Sequence, residues 1–536
     1  MHGLMQDRAL GVPMLLRRVE SLFGHKRVVT ATATGETVGT WSEVAERSRR
    51  LAAVLDRLDV PVGARVATFG WNSQRHVELY VAVPASGRVL HTLNHRLFVE
   101  QLDYILGDAA DDVAFVDRSL LPTVWPVLDR ASSVRHVVVM DDGGAEPIPD
   151  DPRVLDYEAL LAREEPSVLA DVDEAEAASL CYTSGTTGRP KGVLSSHRSI
   201  ALHAMTLLAV DGFAISERDV VMPIVPMFHV NAWGLPYAAM LAGADLVLPG
   251  PQMTPERLLG MLDRHRVTFT AGVPAIWRSL QPLLADADLS SLRRVVSGGS
   301  ALPDALSRAW EEATGLPLTS SWGMTETSPL VSSARLSTVH DGLDTDQRRA
   351  VLGLPGPPVP LTELRLVDDA GAPVPHDGAT PGELQVAGPT IAAAYFGAER
   401  GEDCFTDDGW LRTGDVATLD QHGYLAIVDR TKDLVKSGGE WISSVTLENA
   451  IMAHPDVLEA AVIGVEDEKW GERPLAFVVP VDGRSVDEAA LVEHLRGMVA
   501  SWWVPERFVV AAEIPKTATG KFSKLALRDQ LSRSSG

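Results

Sequence analysis

Cysteine is scarce: two residues in 536, Cys181 and Cys404, too few for a disulfide framework and better suited to small buried hydrophobes. No apolar run reaches the roughly 18 residues that would suggest a membrane span, and there is no internal repeat or low-complexity tract. The first ten residues mix His, Gln, Asp and Arg, unlike a basic patch followed by an apolar core, so no secretory signal is expected. No Lys/Arg-rich tract offsets a net charge of −24. Such a surface repels polyphosphate backbones and argues against a nucleic-acid partner. A cytoplasmic enzyme is expected, and at 45% hydrophobic the chain can bury more than one core.

What is present is a concentrated signal at Tyr182-Thr183-Ser184-Gly185-Thr186-Thr187-Gly188-Arg189-Pro190-Lys191-Gly192-Val193. Hydroxyls and glycines surround one lysine between the apolar run Ala178–Tyr182 and a helical pattern at Ile200, Ala204, Leu207 and Leu208, with Ser195 or Ser196 as its N-cap. Strand, hydroxyl-rich loop and helix make a phosphate-handling arrangement. Glycines let backbone N–H groups approach oxyanions, hydroxyls donate further bonds, and the lysine is a point charge. It is not a Walker A loop, because Gly192 rather than Ser or Thr follows Lys191.

The first third alternates short β-rich runs (Arg65–Phe69, Val113–Val116, Val137–Met140) with helical stretches (Gln74–Val83, Leu120–Arg130), the pattern of a mostly parallel sheet covered by helices. The alternation resumes with Val220–Ile224, Asp245–Leu248, Val267–Ala271 and Arg294–Val296. From about Gly353, short strands punctuated by Gly, Pro and Asp suit a small antiparallel barrel over about 353–428. A basic patch, Arg430-Thr431-Lys432, opens a compact α+β segment. The fold class expected is α/β, with a large N-terminal domain over 1–428 and a smaller mobile α+β domain over 429–536.

The loop resembles, almost letter for letter, the phosphate loop of the adenylate-forming superfamily, which includes acyl-CoA synthetases, peptide-synthetase adenylation domains and luciferases. Further blocks extend the resemblance over the whole chain. It implies an ATP and AMP site made of Thr183, Ser184, Gly185, Thr186, Thr187, Gly188 and Lys191, with Gly298, Gly299, Ser300 and Ala301 against adenine. Trp322, Gly323, Met324 and Thr325 continue that site, Thr325 contacting the α-phosphate. Trp322 stands where the superfamily usually has Tyr. The resemblance makes Thr187 and Glu326 ligands of Mg²⁺, sets Asp415 and Arg430 on the ribose, and makes Asp429 the hinge about which the C-terminal domain swings. Lys521, in Pro515-Lys516-Thr517-Ala518-Thr519-Gly520-Lys521, bridges the acid's carboxylate and the α-phosphate. A lysine is wanted there because two anions must meet, and an ammonium offsets both repulsion and developing charge.

On the acid side the resemblance points to His229, Val230 and Trp233, the last matching the aromatic gate of a fatty-acid tunnel. Phe269-Thr270-Ala271-Gly272-Val273 is apolar and small, so Ala271 and Gly272 are expected to leave space for a chain, with Val273 beside them. No acidic residue stands ready to pair with an amino acid's ammonium, whose burial unpaired would cost several kcal/mol. Lys436, Gly438, Gly439, Glu440 and Trp441 look like the segment that lines the thiol tunnel. His95, where relatives often have Pro, is expected in a loop without functional consequence. The reaction expected is activation of a medium- to long-chain fatty acid by ATP with release of pyrophosphate, then transfer to CoA. The alternative is another acid (aryl acid or nitrite) or another acceptor (carrier protein, amine). The resemblance also allows a homodimer.

Overall fold

The structure is a computed structural model and describes residues 3–183, 189–397, 403–437, 440–516 and 522–534. Among them, four sheets organise the chain. The seven-stranded sheet runs Val154–Asp156, His136–Met140, Val113–Asp117, Arg65–Phe69, Val89–Thr92, Ala177–Tyr182, Gly192–Ser196 in spatial order. All its pairings are parallel except the last. The eight-stranded sheet is parallel from Leu318–Gly323 through Arg294–Ser297, Phe269–Gly272, Val220–Pro223 and Asp245–Leu248 to Arg27–Ala31, with an antiparallel strand on each edge.

Burial follows the pairing. Val113–Asp117 and Val89–Thr92 are buried at every position, as strands covered on both faces must be. Leu411–Leu419, in the four-stranded antiparallel sheet, instead alternates buried and partly exposed residues, the period-2 signature of a half-covered face. That sheet orders Glu363–Val367, Gly382–Ala387, Leu411–Leu419 and Leu425–Arg430, and it is the region read from sequence as a small barrel. Its last strand carries the chain past position 428. Beyond it, a five-stranded sheet and the helices Ser444–Met452 and Glu488–Arg496 enclose a separate apolar cluster around Ile451, Val462 and Leu491. The architecture is thus mixed α/β, a large N-terminal domain of parallel sheets followed by a smaller C-terminal domain. No described helix is long and apolar enough to cross a membrane.

One helix joins the two large sheets. Gln74–Ala85 is buried at every position from His76 onward and touches strands of both. A helix apolar all round belongs in a core, and its one acid is compensated. Glu78, fully buried, accepts from Arg47 Nε at 2.7 Å, Gln74 Nε2 at 2.9 Å and the Tyr157 hydroxyl at 2.6 Å.

The helix expected after the phosphate loop spans His197–Leu208, capped by Ser196, whose Oγ accepts from the Ser199 N–H at 3.1 Å. Between loop and helix lies a strand the sequence did not reveal. Gly192–Ser196 folds back antiparallel on Ala177–Tyr182, so the loop is the tip of a hairpin, not a strand-to-helix turn.

Candidate active site

The segments singled out by sequence follow the carboxyl ends of parallel strands, the edge where open α/β sheets bind ligands. Tyr182 ends one such strand, Gly272, Ser297 and Gly323 three others. At the base of the hairpin, the Thr183 N–H donates to the Lys191 carbonyl at 2.9 Å. Ser184, Gly185, Thr186, Thr187 and Gly188 lie outside the described residues, as do Gly438, Gly439 and Lys521.

Lys191 leads to a residue the sequence reading missed. Its ammonium stands 4.5 Å from the centre of the Tyr395 ring, and the Tyr395 hydroxyl donates to Glu326 Oε1 at 2.7 Å. Backbone bonds stitch the same segment to both sides: Ala392 N–H to the Glu326 carbonyl at 2.7 Å, and Phe396 N–H to the Gly192 carbonyl at 2.8 Å. Tyr395 thus links the lysine to the carboxylate. Its only sequence signal is an aromatic in an Ala-rich stretch after a strand. Glu326 is 6% exposed, and Thr325 shares its 3₁₀ turn. No group of three or more His, Cys, Asp or Glu among the described residues could hold a metal. A lone carboxylate fits Mg²⁺ carried in on nucleotide phosphates, which uses one or two carboxylates and keeps several waters.

Asp415, Trp322 and Arg430 come together. Asp415 is 2% exposed, takes the Trp322 indole N–H at 3.0 Å and the Arg430 Nε at 2.6 Å, and pairs with Arg430 across adjacent strands. Trp322 therefore lacks a tyrosine's hydroxyl but supplies a donor of its own. Gly323 is obligatory, since a Cβ there would lie 1.7 Å from the Pro329 carbonyl oxygen. Met324 N–H donates to Thr327 Oγ1 at 3.0 Å, closing the turn. Across from it Gly299, Ser300 and Ala301 are exposed, while Gly298 is buried with its N–H on the Gly272 carbonyl at 3.1 Å.

On the acid side, Val230, Asn231, Ala232 and Trp233 have φ of 43, 54, 50 and 54°, and Gly234 follows at 70°. This is a left-handed helical turn of four non-glycine residues, each costing roughly 1–2 kcal/mol relative to the right-handed form. Such strain persists only where surroundings over-determine it, and here they do. Asn72 takes the Met227 N–H at 2.7 Å and donates to the Pro223 and Val225 carbonyls at 2.9 Å each. Tyr80 donates its hydroxyl to the Met227 carbonyl, and Thr92 to that of Phe228 at 3.2 Å. Downstream, Gly234 sits against the His203 ring, where a Cβ would be 2.5 Å from Nδ1. The turn separates His229, which lines a cavity with Thr183, Asn94 and Phe228, from Trp233, whose ring abuts Gly298.

Two expectations change. Gly272 does not leave room for a chain, because the Trp277 indole fills it: a Cβ would lie 2.8 Å from Trp277 Cζ2. Ala271 is likewise fully buried in the core; Val273 starts the turn into the next helix. His95 is in a turn, but it is no bystander. Its ring packs 4.4 Å from Trp71 and 4.6 Å from Phe228, and burial pushes it down to about 3, keeping it neutral.

Asp429 is 1% exposed and accepts from the Arg430 N–H at 2.7 Å and the Ser444 N–H at 2.6 Å. Burial raises its pKa, opposed by the Lys524 charge. Lys436 sits 4.7 Å above the Trp441 ring on paired strands, with Glu440 on the second of them.

The AMP-binding enzyme family profile matches residues 18–396, and that of the AMP-binding enzyme C-terminal domain residues 446–521. A long-chain-fatty-acid–CoA ligase of Thermus thermophilus is 46% identical over 530 residues, 98% of this chain and 96% of that protein. A 3-methylmercaptopropionyl-CoA ligase of Ruegeria pomeroyi is 43% identical over 540 residues, 99% of each. Among solved structures, the anthranilate CoA ligase AuaEII in complex with anthranoyl-AMP superposes with a TM-score of 0.86 at 28% identity, covering 99% of both chains. A profile match over most of the chain and relatives more than 40% identical along nearly its whole length show that the chain belongs to the AMP-binding enzyme family.

Proposed function

We propose that this protein is an acid–thiol ligase that couples a medium- to long-chain fatty acid to CoA through an acyl-adenylate. The observation that carries the reading is the line Lys191–Tyr395–Glu326 on one side of the nucleotide segment and Asp415–Trp322–Arg430 on the other. The first group suits a triphosphate and its counter-ion, the second a ribose. Asp415, paired with Arg430 at 2.6 Å, has the chemistry to accept from ribose hydroxyls. Lys191 and the hairpin backbone hold the phosphates, and Thr325 donates to the α-phosphate. Bound Mg²⁺ neutralises phosphate charge, and Glu326, oriented by Tyr395, is the residue to hold it with Thr187.

The acid lies between His229 and Trp233, and its carboxylate attacks the α-phosphorus as pyrophosphate leaves. Lys521 offsets the charge that gathers there. The smaller domain, bounded near 429, then turns about Asp429 and brings Gly438 and Gly439 alongside the thiol path, with Lys436, Glu440 and Trp441 flanking it. The CoA thiolate attacks the acyl carbon and AMP departs. The relatives' names support a CoA ligase and leave the acid between a long chain and a short thioether acid.

Pyrophosphate release with Mg·ATP tests this, using saturated fatty acids from short to long, 3-methylmercaptopropionate, an aryl acid and nitrite, each with and without CoA. The expected result is CoA-dependent turnover that peaks with a medium or long chain. A peak at the thioether acid corrects the acid, and CoA-independent turnover with an aryl acid or nitrite moves the enzyme to another acceptor. Lys521→Ala should lose adenylation by at least 100-fold yet still convert a supplied acyl-adenylate with CoA.

A further inference from the structure

The left-handed turn is fastened to the phosphate hairpin at one point. Cys181, two residues before Thr183, donates its thiol to Asn231 Oδ1 at 2.9 Å. Burial raises the thiol to about 11, so it stays protonated and remains a donor. Thr92 Oγ1 lies 3.3 Å from the sulfur and also holds Phe228. Among Val230, Asn231, Ala232 and Trp233, only asparagine belongs to the types that enter the left-handed region readily. It is 7% exposed and near the turn's centre, where a β-branched residue would add to the left-handed strain that Val230 already bears on one side.

We infer that Asn231 is a positioning residue for the acid: by holding the turn left-handed, it fixes the angle at which His229 and Trp233 face the carboxylic substrate. Unwinding the turn would swing Trp233 off Gly298 and His229 out of the cavity it shares with Thr183. The Cys181 thiol is the secondary tether, coupling this turn to the strand that feeds the phosphate loop. The effect falls on the acid, because the nucleotide contacts of Trp322, Asp415 and Arg430 lie on other strands.

The inference rests on the acid-activating reading. If the parent releases no pyrophosphate with any acid, that reading fails before any variant is compared. With an active parent, Asn231→Val should raise the acid's KM at least tenfold while KM for ATP stays within twofold. Asn231→Gly removes the whole side chain but restores left-handed freedom, and should stay within about threefold of the parent. Cys181→Ala should cost about threefold and Cys181→Ser should recover it. A side chain that served only as packing would give the opposite order, with glycine worst and melting temperature falling in step. The inference is overturned if Asn231→Val leaves the acid's KM unchanged, if glycine is as poor as valine, or if KM for ATP rises in parallel. Should Asn231→Val fail to fold, the milder Asn231→Ala carries the same comparison with glycine.

Discussion

The two large parallel sheets face the same region with different furniture. Around the seven-stranded sheet, polar groups are packed in and paired: His91 with Asp111 at 2.9 Å, and Glu78 with three donors behind. At the edge of the eight-stranded sheet the chain is stripped to Gly272, Ser297, Gly298 and Gly323, with indole rings pressed against Gly272 and Gly298 and the Pro329 carbonyl against Gly323. One sheet stiffens the site with compensated charge, the other by removing side chains so that backbone and indole rings meet. The difference teaches how each should fail. Breaking the first leaves a charge without partners, whereas breaking the second pushes backbone apart.

The largest effect is expected on the charged side. Glu78→Ala leaves the Tyr157 hydroxyl without its acceptor and Arg47 with Glu158 alone, and should lower stability by about 2–4 kcal/mol, measured by denaturant unfolding. A loss below 1 kcal/mol would remove the contrast. On the stripped side, Gly323→Ala must displace the Pro329 carbonyl, costing about 1–3 kcal/mol as overpacking does. Activity should fall further than that stability loss explains, because Trp322 and Thr325 flank the glycine. Unchanged kcat/KM at full folding would show that the turn is softer than its contacts.

Asp117 sharpens the comparison through pH. Burial first, then the neighbouring Asp142 charge, raises its carboxyl to about 8, with the Trp71 N–H at 2.7 Å opposing. A carboxyl whose folded pKa is raised lends stability below its unfolded value near 4, and that stability is lost as pH climbs through 8. The parent's Tm should therefore drop between pH 6 and 9 by more than that of Asp117→Asn, which has no proton to lose. Equal slopes would place the charge elsewhere. The smallest effect is expected for Trp322→Phe, which keeps a ring but removes the donor to Asp415. KM for ATP should rise about threefold to tenfold, as the net worth of one ordinary hydrogen bond, about 0.5–1.5 kcal/mol, implies, with the acid's KM unmoved.

Legibility in the sequence followed local periodicity. Asp245–Leu248 and Arg65–Phe69 were readable to the residue because apolar runs and turn residues bound them. Gly192–Ser196 was not, since a strand opening on glycine and ending in two serines carries neither alternation nor an apolar run. That Trp322, Asp415 and Arg430 belong together was legible as motifs, and the structure brings them into contact. Tyr395 was not, because its role comes from a chain crossing that joins residues 69 positions apart. The left-handed turn was hidden by its composition, as Val, Ala and Trp give no sign of positive φ. Gly272 misled for a related reason: a missing side chain means room for a neighbour, and only the fold says whether that neighbour is a ligand or Trp277.

The helix Gln74–Ala85 bears on how this enzyme can change. Because it is clasped by both sheets, a substitution there is felt by two layers at once, and no loop can relax to absorb it. A saturation library should show a band of intolerance along these residues, sharper than at the cleft. Diversity would be channelled to the rim, where Phe98 and Val99 stand largely exposed beside the turn that carries His95. New acid preferences would then arise by exchanging rim segments around an unvarying spindle.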